Sequence, residues 1–555
     1  MAKFMRGNLI LKLSIILLII LFQAESISID TFRAKEIVRQ EFKRIFEQYM
    51  DNAFPHDLLL PLNCKWKDLY GANAMTLVDN LDSLIIFGEK ATFQNALGRL
   101  KELSLPNFKM DVHVNCFESN IRFMGGLLSA HLQAKNLTIE NYSDYFLKKA
   151  EELGTRLLPA FQTPTLIPFG SINLLSGVDA DESKRTSLAS AGTHTLEWGM
   201  LSKLTSNPIY YHKARQAIDS LWKRKTKDGL LAKEINIFTG IWSNDQAGIG
   251  INSDSFYEYL LKSGVMYNDH GLLQMFQESI KVIDQYLRVN RVWFRNVNVY
   301  KTNLQHFFFS SLMAFWPGVE LLSGRDKIAQ DMVIHYYQIW RLYGGLPEIY
   351  QLYPNSLIER YAIYYLRPEL IESIYYLYLK NHDPWYVLIA KDILYGLLKL
   401  NKAKCGFASR HLYNHKSIND MDSFFLSETL KYLYLIFDQD NFINKGNYIF
   451  TTEAHYLPVL PKFDTEKYFD LKKNNISLLY KKPENNSCIN KGSSFDPLEN
   501  EKKKLKWKRC KRNKPFREKL SIMGLDFVEN KHSEYSGINA LRGYSNNYGI
   551  KINFS

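Results

Sequence analysis

Apolar positions from about residue 37 to residue 440 recur mostly at the spacing of an α-helix. Val38, Phe42, Ile45, Phe46 and Tyr49 step by four, three, one and three, with Lys43, Arg44, Glu47 and Gln48 between them. One face of such a spiral is apolar and the other charged, which predicts an amphipathic helix. Similar stretches lie at Asn120–Gln133, Tyr145–Leu158, Ser255–Lys262, Pro368–Leu379, Asp383–Lys399 and Ser423–Phe437. Period-two runs that would predict strands are few. Short clusters rich in Gly and Pro at 166–170, 315–318 and 344–347 are expected to separate helices. Aromatic-rich helices with short connections, sustained without a repeat of fixed period, predict an all-α toroid closed on itself.

The pattern changes at both ends. Lys3, Arg6 and Lys12 precede an apolar run from Leu13 to Phe22, and Ala24 and Ser26 follow as a small-x-small pair. This predicts a signal peptide over 1–26, the run being too short to span a bilayer comfortably. An uncleaved anchor that includes Leu9 to Leu11 is the competing reading. Both send the rest of the chain into the secretory pathway. No later apolar run is long enough to span a membrane, and the ending Lys551-Ile552-Asn553-Phe554-Ser555 is not of the KDEL type. The globular part is assigned to 27–462. Over 463–555 Lys and Asn rise and apolar periodicity fades, as in a disordered low-complexity tail. That tail reads either as a solvated extension or as an electrostatic docking arm.

Composition narrows the class. Hydrophobic residues make up 46% of the 555 and aromatic residues 14%, enough for a large core. The net charge of +13 is concentrated in the basic run Lys502–Lys519, so it gives the globular part no nucleic-acid character. Five cysteines (Cys64, Cys116, Cys405, Cys488 and Cys510) form no C-x-x-C pair, which excludes a thioredoxin motif or zinc ribbon. In an oxidising lumen some should pair, and the odd number leaves one free or bound to another protein. A mixed disulfide of Cys488 or Cys510 with a thioredoxin-like oxidoreductase is one such outcome. Sequons at Asn136, Asn141, Asn475 and Asn485 agree with glycosylation of a lumenal chain.

No metal-hydrolase, P-loop or dinucleotide motif appears; Gly248-Ile249-Gly250 lacks the third glycine of a phosphate loop. Acidic residues embedded in apolar helices stand out instead, because a carboxylate there costs stability unless it is paired or used. Glu118 has Arg122 four residues on, on the same helix face. Asp254 opens Asp254-Ser255-Phe256-Tyr257-Glu258-Tyr259 and is either a helix cap or a functional acid. Glu369 follows Arg367-Pro368, and proline suits a first helical turn. The helix dipole there is expected to favour the ionised form that a general base needs. Glu372 faces the same way, and Glu348 sits in a Gly-Gly-Leu-Pro-Glu turn. Several such acids with two arginines suit a sugar-cleaving pocket, where one carboxylic acid protonates the leaving oxygen and one carboxylate activates water.

With these residues in view, the chain resembles the class I α-mannosidases, glycoside hydrolase family 47. The resemblance runs from about Phe42 to Pro458 through Thr76-Leu77-Val78-Asp79, Phe117-Glu118 with Ile121-Arg122, Asp254–Tyr259, Leu346-Pro347-Glu348, Leu366–Glu369 with Glu372-Ser373, Ser423–Thr429 and Thr452–His455. Asn63-Cys64, Lys404-Cys405-Gly406-Phe407-Ala408 and Phe450–His455 are similar to the ER degradation-enhancing α-mannosidase-like group within it. The resemblance implies an (α/α)7 barrel of helical hairpins and inverting, Ca²⁺-dependent hydrolysis of α-1,2-linked mannose on high-mannose N-glycans of misfolded glycoproteins in the ER lumen. By the same resemblance Glu118 is a proton donor, directly or through water, and Glu369 a base candidate, with Asp254 and Glu348 completing the acidic set. Arg122, Arg367, Glu372, Phe424 and Glu428 contact sugar or ordered water, Thr452 is the calcium ligand, and Cys64 pairs with Cys405; the other reading of those cysteines is two buried thiols. Departures from the family pattern are Asn252 in place of Gly, Asn80 in place of Ala, Asp422 in place of Glu, and Thr186-Ser187-Leu188 without a cysteine. They motivate a second reading, a lectin-like adaptor that binds mannose glycans without turnover. A third, a Golgi-type processing mannosidase, fits the cysteines less well.

Overall fold

The computed structural model describes residues 30–140 and 142–459. The expected signal segment, Asn141, Asn475, Asn485, Cys488, Cys510 and the basic tail lie outside the described residues.

Two kinds of helical run alternate along the chain. One kind is buried nearly all round: in Asp254–Met266 every residue from Ser255 to Gly264 is buried, as is every residue of Lys431–Phe437. The other kind is buried along one stripe. In Tyr145–Leu157 the stripe is Phe146, Ala150, Leu153, Gly154 and Leu157, and in the first helix, 30–52, it includes Val38, Phe42, Ile45 and Tyr49. A helix apolar on all sides belongs inside and a striped one outside. The inner runs are 75–86, 116–136, 188–205, 254–266, 311–322, 369–381 and 425–437. The outer runs are 30–52, 90–102, 145–161, 209–222, 270–287, 326–343 and 384–400. Among the described residues, seven inner runs alternating with seven outer ones make the all-α (α/α)7 barrel expected from the sequence.

Glycines let inner helices approach closely. A Cβ on Gly126 would lie 2.6 Å from the Val78 carbonyl oxygen, and one on Gly192 would lie 2.3 Å from the Phe256 ring. The ring closes where the last inner helix meets the first: the Ser427 hydroxyl donates to Asp79 at 3.0 Å and Lys431 to Asp82 at 3.0 Å.

Inner-to-outer turns are short, whereas outer-to-inner connections are long and carry small antiparallel sheets that the periodicity did not foretell. Strands of two to four residues are too short to show a period of two. Five of these sheets join one long connection to the next: His113–Asn115 with Ser171–Asn173, Arg185–Ser187 with Glu234–Asn236, Ala247 with Val297, Phe308–Ser310 with Ile349–Leu352, and Ile363–Tyr364 with Ser409–His411. Asn73 and Asn107 exchange hydrogen bonds at a sixth joint. Cys64 and Cys405, 341 positions apart, are disulfide-bonded at the seventh, with Cα atoms 5.5 Å apart. The mouth of the barrel is thus ringed by a continuous belt. After the last inner helix, the hairpin Tyr448–Phe450/Tyr456–Pro458 adds a two-stranded sheet of its own.

Two local expectations change. The 315–318 cluster does not separate helices: Trp316–Leu322 runs through it, with Pro317 in the first turn, where its missing N–H costs no bond. Asp254 is not a cap but the first residue of its helix, after Ser253. Cys116 is buried and unpaired among the described residues. Asn136 ends the helix Gly125–Asn136 and is exposed. No helix among the described residues is long and apolar enough to cross a membrane.

Candidate active site

Inner helices begin at the belt, so their N-termini and first turns converge. A cavity of about 390 Å³ opens there, within the range of small-ligand sites. Six of the inner runs line it from their starts, through Glu118, Ser190, Asp254, Leu312, Glu369 and Glu428, and Thr452 and Glu453 line it from the hairpin tip. Seven carboxylates (Glu118, Asp254, Glu258, Glu369, Glu372, Glu428 and Glu453) and two arginines, Arg122 and Arg367, face this space.

Arg122 gathers charge from three elements. Its Nε donates to Glu118 at 2.9 Å and its Nη1 to Asp422 and the Ser423 hydroxyl at 2.7 Å, with Glu453 paired at 2.8 Å. The run Ser119–Met124 that carries it is π-helical, as is Phe425–Leu430 opposite. Such bulges change which side chains face inward and recur at functional sites. Arg367 grips Glu348 with two hydrogen bonds of 2.5 and 2.8 Å, and Ser311 donates to the same carboxylate at 3.1 Å. Glu348 therefore stands behind the wall and orients Arg367; it does not line the cavity. The Phe424 ring lies 5.8 Å from the Arg122 guanidinium and 5.9 Å from that of Arg367, so the two cations flank one aromatic wall.

Cations run out before carboxylates do. Lys262 serves Glu258 at 2.5 Å and Glu372 at 3.6 Å. The Glu428 carboxylate makes no hydrogen bond or ion pair with another described residue, and Glu428 is 4% exposed. Burial pushes Asp254 up to about 6, and Glu258 nearby adds to the rise. Glu369 is pushed up to about 7, by burial first and then by Glu348 and Asp254, against the pull of Arg367. Glu372, Glu428 and Glu453 are raised as well, burial being the largest cause for each. At Glu369 burial thus outweighs the helix dipole, and the protonated form is more favoured than the sequence implied. A divalent cation among these groups would draw their values back down.

Oxygen-rich surroundings suit a hard cation. Within the hairpin tip Thr451 N–H donates to the His455 carbonyl at 2.9 Å, Ala454 N–H to the Thr451 carbonyl at 3.1 Å, and His455 N–H to the Thr451 hydroxyl at 3.1 Å. The Thr452 carbonyl and hydroxyl oxygens have no hydrogen-bond partner among the described residues, and Thr452 lines the cavity. Those two oxygens are free to serve as ligands to a hard cation. No three His, Cys, Asp or Glu side chains among the described residues form a direct metal cluster.

The structure brings Glu118, Asp254, Glu369, Arg122, Arg367, Glu372, Phe424, Glu428 and Thr452 to one cavity. Sequence reasoning missed Glu258 and Glu453 as lining residues, although Glu258 lies one turn beyond Asp254 and Glu453 adjoins Thr452. Asn252 holds its turn with φ of 71°, a left-handed conformation that asparagine tolerates almost as glycine does. Its carbonyl accepts from Ala189 N–H at 2.9 Å.

Comparison with known proteins agrees with this geometry. Residues 41–459 match the family model of glycosyl hydrolase family 47. Over 454 residues the chain is 42% identical to Alpha-mannosidase I MNS4 of Arabidopsis thaliana, covering 79% of this chain and 72% of that one. It is 40% identical over 451 residues to ER degradation-enhancing alpha-mannosidase-like protein 2 of Homo sapiens, covering 77% and 78%. Among solved structures, the alpha-1,2-mannosidase from Trichoderma reesei has the same fold, with a TM-score of 0.69 at 23% identity, covering 77% of this chain and 99% of that one.

Proposed function

The chain belongs to glycosyl hydrolase family 47, in its ER degradation-enhancing α-mannosidase-like group, and from that premise we propose that it trims α-1,2-linked mannose from high-mannose N-glycans of misfolded glycoproteins in the ER lumen, directing them to degradation. The observation that carries this is the cavity itself: carboxylates in excess of cations, two of them pushed to about 6 and about 7, beside two arginines and an aromatic wall. Acid–base groups work best when their values lie near the operating pH.

Hydrolysis proceeds with inversion. Glu118, oriented by Arg122, gives a proton to the glycosidic oxygen, directly or through a water, as the bond from that oxygen to the anomeric carbon breaks. A water attacks the anomeric carbon from the opposite face, and Glu369 takes its proton; Asp254, close enough to raise Glu369, keeps that base proton-hungry. Arg367, held by Glu348, and Phe424 position the sugar. Calcium held by the Thr452 oxygens would supply a fixed positive charge and a template for sugar hydroxyls.

The test is a glycan profile. The purified protein is incubated with Ca²⁺ and an unfolded high-mannose glycoprotein, alone and with a lumenal disulfide oxidoreductase, beside Glu118→Gln. Loss of mannose that the variant abolishes is the expected result. Intact glycans in both arms, with glycan binding retained, would replace this reading by the lectin-like adaptor.

A further inference from the structure

Thr452 is gripped from a direction its own hairpin does not supply. Its backbone N–H donates to the Tyr259 hydroxyl at 3.3 Å, 193 positions away. That hydroxyl donates in turn to Glu197 Oε1 at 2.5 Å, and the other oxygen of Glu197 accepts from the Asn120 amide at 3.1 Å. Glu197, Tyr259 and Asn120 are all fully buried, on three different inner helices. With Glu197 ionised, both Asn120 and Tyr259 donate to it, so the Tyr259 hydroxyl points its hydrogen at Glu197 and offers its lone pair to Thr452. On the far side of Thr452, Glu453 is paired to Arg122 at 2.8 Å.

We propose that Tyr259, oriented by Glu197, is a positioning residue for the calcium site: by holding the Thr452 backbone at its N–H it keeps this residue, with its unbonded carbonyl and hydroxyl oxygens, in place for the ion. The inference rests on the calcium reading above and goes beyond it, because neither Tyr259 nor Glu197 touches the ion. A ligand oxygen must be held to within about 0.5 Å of its productive place. A residue behind the ligand that does this typically accounts for about 10–100-fold in metal affinity. Tyr259→Phe would keep the ring and its packing while leaving the Thr452 N–H without an acceptor and Glu197 Oε1 without a donor.

The experiment is a Ca²⁺ titration of chelator-stripped full-length protein, read by calorimetry and by the thermal midpoint. Wild type should bind saturably, and Tyr259→Phe should bind about tenfold more weakly. Its midpoint in chelator should fall by a few degrees, because the Thr452 N–H and Glu197 Oε1 lose their partner, so the titrations are compared well below both midpoints. Glu197→Gln keeps one acceptor for the hydroxyl but sets its amide nitrogen against the Asn120 amide, so its affinity should fall between wild type and Tyr259→Phe. Absence of Ca²⁺ binding by wild type removes the calcium reading and this inference with it. Wild-type binding with Tyr259→Phe within about twofold overturns the inference alone, as does a Glu197→Gln protein weaker than Tyr259→Phe. Amide exchange in the stripped wild type, which needs no variant, should show the Thr452 N–H protected; rapid exchange there would also overturn it.

Discussion

Two clusters of buried charge lie within one barrel and behave oppositely. Where the ring closes, Asp79 and Asp82 meet His455 at 3.1 Å each, and Lys431 bridges Asp82 and the Ala454 carbonyl at 3.0 and 2.7 Å. All four side chains are sealed from solvent. Burial opposes ionisation of Asp82, yet Lys431 and His455 hold it well below the usual carboxylate range. Burial likewise lowers His455, yet Asp82 and Asp79 carry it up to about 9. In the cavity the described cations are outnumbered, and Asp254, Glu369, Glu372, Glu428 and Glu453 are all raised. Desolvation is common to both places, so the local count of cations decides the sign. A balanced cluster holds the barrel shut, while an unbalanced one stores charge for a ligand to use.

The largest effect that separates them is on catalysis. Glu118→Gln should cut mannose release by about 10²–10⁴-fold, the usual scale for a lost acid–base group. Its thermal midpoint should barely move, because Glu118 is partly exposed at the mouth. A midpoint fall of many degrees would make the cavity structural and erase the contrast.

Next comes the mirror experiment. Lys431→Met leaves Asp82 with one partner and the Ala454 carbonyl with none. Removing one member of a buried ion cluster costs about 3–5 kcal/mol, readable by denaturant unfolding. A loss under about 1 kcal/mol would mean that the cluster is slack.

A smaller effect is the pH dependence of His455. Its folded value of about 9 exceeds the 6.5 of an unperturbed histidine, so its stabilisation is complete below pH 6.5 and is lost as pH rises through about 9. The span is on the order of 3 kcal/mol. Unfolding free energies at pH 7 and pH 10 should differ by that much more in wild type than in His455→Gln. Equal differences in the two proteins would show that His455 does not carry the charge.

The same contrast explains what the sequence revealed. Inner helices and cavity acids were legible because both signals are local: Glu118, Asp254 and Glu369 stand out against apolar neighbours within one or two turns. The closing cluster was not, since Lys431 and His455 lie 349 and 373 positions from Asp82 and each looks ordinary in its own segment. The link from Glu197 to Thr452 escaped for the same reason. The belt escaped for another: its strands are two to four residues long, and pairing between successive connections leaves no period in either. Glu348 was legible as an acid but not as the partner of Arg367, which depends on how the turn folds back.

The smallest predicted effect tests the imbalance most directly. Glu428 is paired with no cation among the described residues, and after burial itself its neighbours Glu453, Glu372, Glu369 and Asp79 raise it further. Its folded value lies above the unfolded one, so the ionised carboxyl destabilises the fold at high pH, and the cost fades as falling pH protonates it. Glu428→Gln keeps the shape and removes the charge. In chelator at pH 8 the variant should be more stable than wild type by about 1 kcal/mol, as when a strained functional group is neutralised. At pH 5 the gain should shrink toward zero, and at saturating Ca²⁺ it should reverse if the charge serves the ion. A variant less stable than wild type at pH 8 in chelator would mean that Glu428 has a stabilising partner, and the cavity would then resemble the closing cluster in kind.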